Sequence, residues 1–266
     1  MCDTRGNSLL YLFKRYGNVQ QLVEWKKLNN ITDFSEVDDR LEHLFDNPEE
    51  ITPPRLNLPK EFISLTNNNL PFSSAAAKSY LNKRQINKKD ILYWKIGYCS
   101  KGQYAGRIII PSFDMKGNVN YFIARAYDGN WKKYFNPEVP KSKIIFNELY
   151  VDFAKPITIV EGAFDAIVSG ENSVPVLGST LSENSRLFQK IIQNNSIIYM
   201  ALDPDATQKT NSIVEKLLRY GIETYIIDVS GFKDVGEMTR EQFKERKSSA
   251  KQVNDSLSLL INNIKF

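Results

Sequence analysis

Between residues 157 and 229 the sequence switches hydrophobic period again and again. Short runs of β-branched and apolar residues (ITIV at 157–160, VPVLG at 174–178, SIIYMAL at 196–202, TYIIDV at 224–229) alternate with stretches of helical spacing at 163–170, 182–195 and 207–221. Parallel strands cannot be joined by a tight turn, so this alternation predicts a parallel sheet with right-handed helical crossovers. Ser182 is the expected N-cap of the second helix, and Gly221 the residue that ends the third.

In such a sheet all strand C-termini face one edge, where ligands bind. The acids fall there. The first strand ends on Glu161, followed by Gly162 and, one helical turn on, by Asp165. The third ends on Asp203 and Asp205, and Asp234 and Glu237 follow the fourth. Singly each acid has a plain structural role: Asp165 can favour a helix N-terminus, Asp203 can cap the next helix, and Glu237 can be surface. Together, crowded carboxylates repel one another unless a cation joins them. Hard oxygen donors without cysteine or histidine nearby select Mg²⁺ or Mn²⁺. A magnesium cluster in turn points to phosphoryl-transfer or phosphodiester chemistry.

Charge is unevenly distributed along the chain. Residues 1–70 hold 8 Lys/Arg against 11 Asp/Glu, residues 71–150 hold 14 against 5, and residues 151–266 hold 13 against 15. The basic middle third starts with a helical pattern, AAAKSYLNKRQI, and continues as strand-like runs (AGRIIIPSFD, NVNYFIARAYD, WKKYFN) with turns at MKGN and YDGN, a small antiparallel meander. Lysines, arginines and aromatic residues, among them Tyr104, Tyr121, Phe122, Trp131, Tyr134 and Phe135, are interleaved on it. That mixture suits a single strand of nucleic acid, with charge for phosphates and rings for bases, although about half of a strand's side chains face inward. A proline- and acid-rich stretch (DDRLEHLFDNPEEITPPRLNLPKEF) separates this region from an N-terminal helical pattern. Two cysteines, Cys2 and Cys99, without a CxxC pair fit a reducing compartment, and one histidine, His43, leaves little for triad chemistry. No apolar run approaches the length of a membrane span, so no membrane partner is expected.

IVEGAFDAI followed by ALDPDA resembles the TOPRIM domain of primases, topoisomerases and some nucleases. The upstream segment, from YLNKRQI through GRIIIPSFDMKGN and the later Arg125 to KYFN, resembles the catalytic core of DnaG-type primases, in a phage-like form. The likeness runs roughly from residue 75 to residue 237. It implies a fold of α/β and α+β type: a TOPRIM parallel sheet with flanking helices, preceded by a small mixed α+β basic subdomain. The expected divisions are a remnant of a zinc-ribbon tail with a helix at 1–30, a linker at 31–70, the basic subdomain at 71–150, the TOPRIM domain at 151–245 and a C-terminal helix at 246–266.

The resemblance also implies an activity: synthesis of short RNA primers by metal-dependent nucleotidyl transfer. Glu161, Asp203 and Asp205 become the catalytic acids and, with Asp234, the ligands of Mg²⁺ or Mn²⁺; Asp165 and Gly162 are secondary. Arg107, Arg125, Lys133, Tyr134, Asn136, Lys141 and Lys143 become contacts to nucleic acid or nucleotide. The implied partners are a single-stranded DNA template, NTPs and the RNA–DNA hybrid, with a replicative helicase as a further one, in the cytoplasm of a bacterial host. Cys2 would match the last ligand of the family's zinc ribbon, but a tetrahedral site needs three more. Zinc is therefore not expected in this chain alone, and a zinc-ribbon module acting in trans is.

Two departures stand out. DPDATQKT lacks the glycine that usually follows the D-x-D, and Gly236 stands where the family often has a second aspartate after Asp234. The rival readings are a TOPRIM nuclease, a non-catalytic TOPRIM accessory subunit that binds DNA, and a haloacid-dehalogenase-type phosphatase. The last would use ALDPDAT as its nucleophile motif but leave Glu161 without a role.

Overall fold

A computed structural model describes residues 52–254. Cys2, His43, the zinc-ribbon remnant at 1–30 and the end of the expected C-terminal helix lie outside the described residues.

The N-terminal lobe is an antiparallel sheet in the order β1-β2-β3-β4, built from β1 (Ile63–Ser64), β2 (Gly97–Cys99), β3 (Arg107–Phe113) and β4 (Val119–Ala126). Both long strands are apolar almost throughout because both their faces are covered. Ile108, Ile110, Tyr121 and Ile123 face α1 (Ser74–Lys83) and the segment after it, meeting Ala77, Leu81, Ile86 and Trp94. The alternate residues Ile109, Phe122 and Ala124 join Cys99 in a second cluster closed by Leu58, Phe62 and Tyr104. Residues 52–70, read as linker, are therefore part of this lobe: Ile63–Ser64 pairs with β2, and Leu56 donates its N–H to Val119 O at 2.8 Å. The β3–β4 turn is pinned by Asp114, whose Oδ1 accepts the N–H groups of Lys116 at 2.9 Å and Asn118 at 2.8 Å. WKKYFN does not form the expected third strand. It makes one bridge, Arg125 to Tyr134, and then Asn136 Oδ1 takes the Ala124 N–H at 2.9 Å. Pro137 follows and has no N–H to continue the ladder.

A short helix α2 (Lys88–Tyr93), opened by an Asn87–Asp90 capping box, completes the lobe. The connector to the second lobe carries Glu148, which is buried and paired with Arg186 at 2.9 Å.

The second lobe is a five-stranded sheet in the order β6-β5-β7-β8-β9. The strands β5 (Ile157–Val160), β6 (Ser173–Pro175), β7 (Ile198–Ala201) and β8 (Thr224–Ile226) are parallel, as the alternation requires. The helices α4 (Arg186–Asn194) and α5 (Thr207–Arg219) cover one face with Leu187, Phe188, Ile191, Ile213, Val214 and Leu217. On the other face lie α3 (Ala163–Ser169) and α6 (Arg240–Ser248), whose Phe164, Ile167 and Phe243 share one continuous core with Leu81, Trp94 and Phe146 of the first lobe. An ion pair, Arg240 to Asp90 at 2.6 Å, adds a polar link between the lobes.

Three local expectations change. The N-cap of α4 is Ser185, which accepts the Phe188 N–H at 3.3 Å, while Ser182 lends its carbonyl to Ser185 instead. Residues 251–253, expected in a C-terminal helix, form β9 (Lys251–Val253) antiparallel to β8. An edge strand exposed on one side carries no apolar run, so its residues give no period to read. The TYIIDV strand stops at Ile226.

Candidate active site

The C-terminal edge of the parallel strands receives its acids through three turns. Past β5, Glu161 is followed by Gly162, the extended N-cap of α3. Past β7, Asp203 stands at the N-cap position, without a side-chain capping bond, of a 3-10 turn (Pro204–Ala206) that runs straight into α5. No residue of that turn has a positive φ, so the glycine missing from DPDATQKT is not required by this backbone. Past β8, Asp234 caps the turn Val235–Glu237.

Asp165 ties the first and last of these turns together. Its Oδ2 accepts the Gly162 N–H at 2.7 Å and its Oδ1 accepts the Gly236 N–H at 2.9 Å. Burial, with the charge of Asp234, pushes its carboxyl up to about 7 despite those two donors. Gly236 is thereby explained: a Cβ there would lie 2.9 Å from Asp165 Oδ1 and 3.1 Å from Asp234 Oδ1. Glu237 is exposed, and its Oε2 accepts the Lys233 N–H at 2.9 Å.

Asp203 carries the clearest signature of a site. Its Oδ1 is buried without a hydrogen-bond partner. Burial and the charges of Glu161, Asp234 and Asp205 raise its carboxyl to about 6, against an opposing pull from Lys209. Lys209 is the residue that sequence reading missed. From the first turn of α5 its Nζ donates to both oxygens of Glu161, at 2.7 and 3.0 Å. Nothing local marks it, since its partner lies forty-eight positions back and meets it only through the β5–β7 pairing. Among the described residues no three of His, Cys, Asp and Glu are gathered in a metal-ligating group. The donor set nevertheless fits a hard divalent cation: carboxylates at adjoining turns raise the affinity of Asp203 for a proton, and its buried Oδ1 has no partner.

The basic candidates divide. Arg107 is buried; it donates to Lys132 O at 3.0 Å and lies over the Phe135 ring at 5.6 Å. Asn136 is held by the Ala124 N–H, and Lys141 Nζ donates to Leu177 O at 2.7 Å in the loop after β6. Arg125 lies 4.7 Å from the Tyr134 ring with its Nε buried and unpartnered, while Lys133, Tyr134 and Lys143 are exposed. Arg84, also passed over in the sequence, stacks on Tyr80 at 5.2 Å and on Phe164 at 4.7 Å, so it bridges the basic lobe to the helix that follows Glu161.

No protein-family model matches the chain. Among curated proteins it is similar to the DNA primase of Thermotoga maritima, 26% identical over 217 residues covering 64% of this chain and 38% of that one. It is likewise similar to the DNA primase of Clostridium acetobutylicum, 27% identical over 217 residues, 65% of this chain and 36% of that one. A solved DnaG primase catalytic domain bound to single-stranded DNA superposes with a TM-score of 0.60 at 17% identity, covering 86% of this chain and 83% of that one. The chain has the fold of a DnaG-type primase catalytic core. It spans a little over a third of the length of the curated primases. Within that fold the acidic edge belongs to the parallel-sheet lobe and the basic sheet to the lobe before it. No helix among the described residues is long and apolar enough to cross a membrane.

Proposed function

We propose that this chain is the catalytic part of a DNA primase, joining ribonucleotides into short RNA primers on a single-stranded DNA template. The observation that carries the reading is the edge formed by Glu161, Asp203, Asp205 and Asp234, with its buried, unpartnered Asp203 oxygen, beside a basic lobe that shares its core.

Those four acids would hold Mg²⁺ or Mn²⁺, which supplies charge neutralisation for a triphosphate and activation of an attacking 3′-hydroxyl. The chain's own residues do the rest. Asp165 keeps the turns bearing Glu161 and Asp234 at a fixed spacing through its two backbone bonds. Lys209 holds Glu161 by both oxygens and offsets its charge beside Asp203. Lys133, Arg125, Tyr134 and Lys143 contact template, hybrid or nucleotide phosphates, while Arg107, Asn136 and Lys141 fix the backbone that presents them. NTPs, the single-stranded template and the growing RNA–DNA hybrid are the partners of this reading; a replicative helicase and a zinc-ribbon module in trans complete it.

The test is template-directed ribonucleotide incorporation on mixed-sequence single-stranded DNA with Mg²⁺ or Mn²⁺, and Glu161→Gln as control. Short RNA products that vanish in the variant are the expected result. Shortening of the template without RNA products would replace the primase reading with a nuclease.

A further inference from the structure

The rings of the basic lobe separate into two groups. Tyr121 and Phe122 are buried in the sheet. Tyr104 packs on Phe122 and Phe135, with ring centroids 5.3 Å away in each case. Trp131 packs on none of them: it is 90% exposed. A single exposed aromatic residue is common on any surface and means little by itself. What distinguishes Trp131 is how firmly the segment that carries it is held.

Gly129 turns the chain at a φ of +80, and Asp128 Oδ1 accepts the Asn130 N–H at 3.1 Å. Asn130 Oδ1 then accepts the Lys132 N–H at 2.9 Å, while Trp131 O accepts the Lys133 N–H at 3.1 Å. From below, Arg107 Nη1 donates to Lys132 O at 3.0 Å, and Lys132 Nζ sits 4.2 Å over the Phe135 ring. The backbone on both sides of Trp131 is thus fixed while its indole stands in water. Its sequence neighbours are Asn130, Lys132 and Lys133, with Tyr134 next, over Arg125. An apolar protein partner would need an apolar surround for such a ring, and the residues that flank it directly, Asn130 and Lys132, are polar. A flat ring followed by two lysines suits an unpaired base, which offers a π-face to the indole and phosphates to the lysines. A duplex hides those faces in its own stack.

We propose that Trp131 is a base-stacking platform for single-stranded nucleic acid, with Lys133 beside it taking a phosphate. The inference rests on the template-binding part of the function proposed above, and it adds a residue that the acidic site does not need. It also assigns Arg107 a positioning role, through Lys132, for the platform.

The chain has three tryptophans; Trp94 is buried, Trp25 lies outside the described residues, and the Trp131→Phe variant assigns any quench to Trp131. The full chain would be titrated with single-stranded oligothymidylate, with oligouridylate and with a blunt duplex. The expected result is quenching by the two single strands and little by the duplex. Trp131→Phe should lose the quench and keep affinity within about threefold; Trp131→Ala should weaken binding roughly tenfold, within the range that loss of one stacked base costs. The dependence of affinity on salt should be unchanged in Trp131→Ala, whereas Lys133→Ala should lower its slope by about 0.7. Wild-type affinity in Trp131→Ala, or a full quench persisting in Trp131→Phe, overturns the platform and leaves the primase reading standing. Quenching without any ribonucleotide incorporation does the reverse. No binding of any oligonucleotide overturns both. A melting temperature for Trp131→Ala equal to that of the wild type separates lost contact from lost fold.

Discussion

The two lobes use charge in opposite ways. In the parallel lobe the acids sit at the ends of strands, so topology alone brings Glu161, Asp203 and Asp234 to one edge, where they disturb one another. In the antiparallel lobe the cations lie along strands and in loops, and several have been taken into the framework: Arg107 is buried against Lys132 O and Phe135, and Lys141 ties down Leu177 O. The lesson concerns reading as much as mechanism. A carboxylate at a parallel strand end lies on the ligand-binding edge whatever its partner there, because strand polarity fixes its place. An arginine on an antiparallel strand has two employers, phosphate and backbone carbonyl, and only the structure shows which one holds it.

The largest expected effect breaks the acidic side of that comparison. Asp203→Asn keeps the shape and removes a charge that burial already disfavours, so nucleotide incorporation should fall by roughly a hundredfold or more while the melting temperature stays the same or rises. A variant that lost stability and activity together would make Asp203 a structural residue and dissolve the contrast. Next in size is Asp165→Ala, which strands the N–H groups of Gly162 and Gly236 in a part-buried setting at about 1–3 kcal/mol each. Arg107→Ala is its counterpart in the basic lobe and should cost stability of the order of 1–2 kcal/mol through Lys132 O. Denaturant unfolding of both variants would show whether each lobe has its own anchor. An Arg107→Ala chain as stable as wild type but unable to bind single strands would return Arg107 to direct phosphate contact.

One carboxylate from each lobe should answer pH in the opposite direction to the other. Asp165 is raised to about 7 by burial, so between its unfolded value near 3.8 and about 7 the native state holds the proton more tightly; its contribution to stability is full at low pH and is lost as pH rises through that window. Asp114 runs the other way. Burial alone would raise it, but the Asn118 side chain, the Asn118 and Lys116 N–H groups and Arg55 outweigh that and hold it below the usual carboxylate range. Its contribution is present above the unfolded value and is lost as pH falls through the lowered one. Asp165→Asn should flatten the neutral limb of a stability–pH profile and Asp114→Asn the acid limb. If both variants changed the same limb, the two carboxylates would not be in opposite environments.

How much of this was legible in the sequence follows from the range of the interactions. The parallel sheet was readable because period and turn chemistry are local, and the acidic edge because strand polarity is a rule of the fold. The strand at 251–253 was not, since Lys251 and Gln252 are exposed and show no alternation. The Ser182 cap failed by one turn because two serines three residues apart offer the same chemistry, and the choice falls to which of them meets the Phe188 N–H. Residues 52–70 looked like linker for their prolines, yet Leu58, Phe62 and Leu65 find apolar partners only once β2 and β3 are assembled. Lys209 is the same case inside the site, because a lysine in the first turn of a helix runs against the helix dipole and suggests a solvated surface.

Lys209 also gives the smallest and sharpest test of the contrast between lobes, for among the described residues it is the one cation ion-paired within the acidic edge. The pair with Glu161 is part-buried and doubly bonded, more than a surface ion pair and less than a sealed one. Lys209→Met keeps the stem of the side chain and removes the ammonium, so Glu161 is left beside Asp203 with no compensating charge. Without divalent cations the loss should be about 1 kcal/mol, between the values for exposed and buried pairs, read as a lower midpoint in urea. The same variant should bind Mn²⁺ more tightly, because both Glu161 oxygens are released from the ammonium, and calorimetric titration would read that without any assay of synthesis. A variant that lost Mn²⁺ affinity would reverse the assignment: Lys209 would then be aiming Glu161 at the cation rather than competing for it, and the acidic edge would be built on the same positioning logic as Arg107 in the basic lobe.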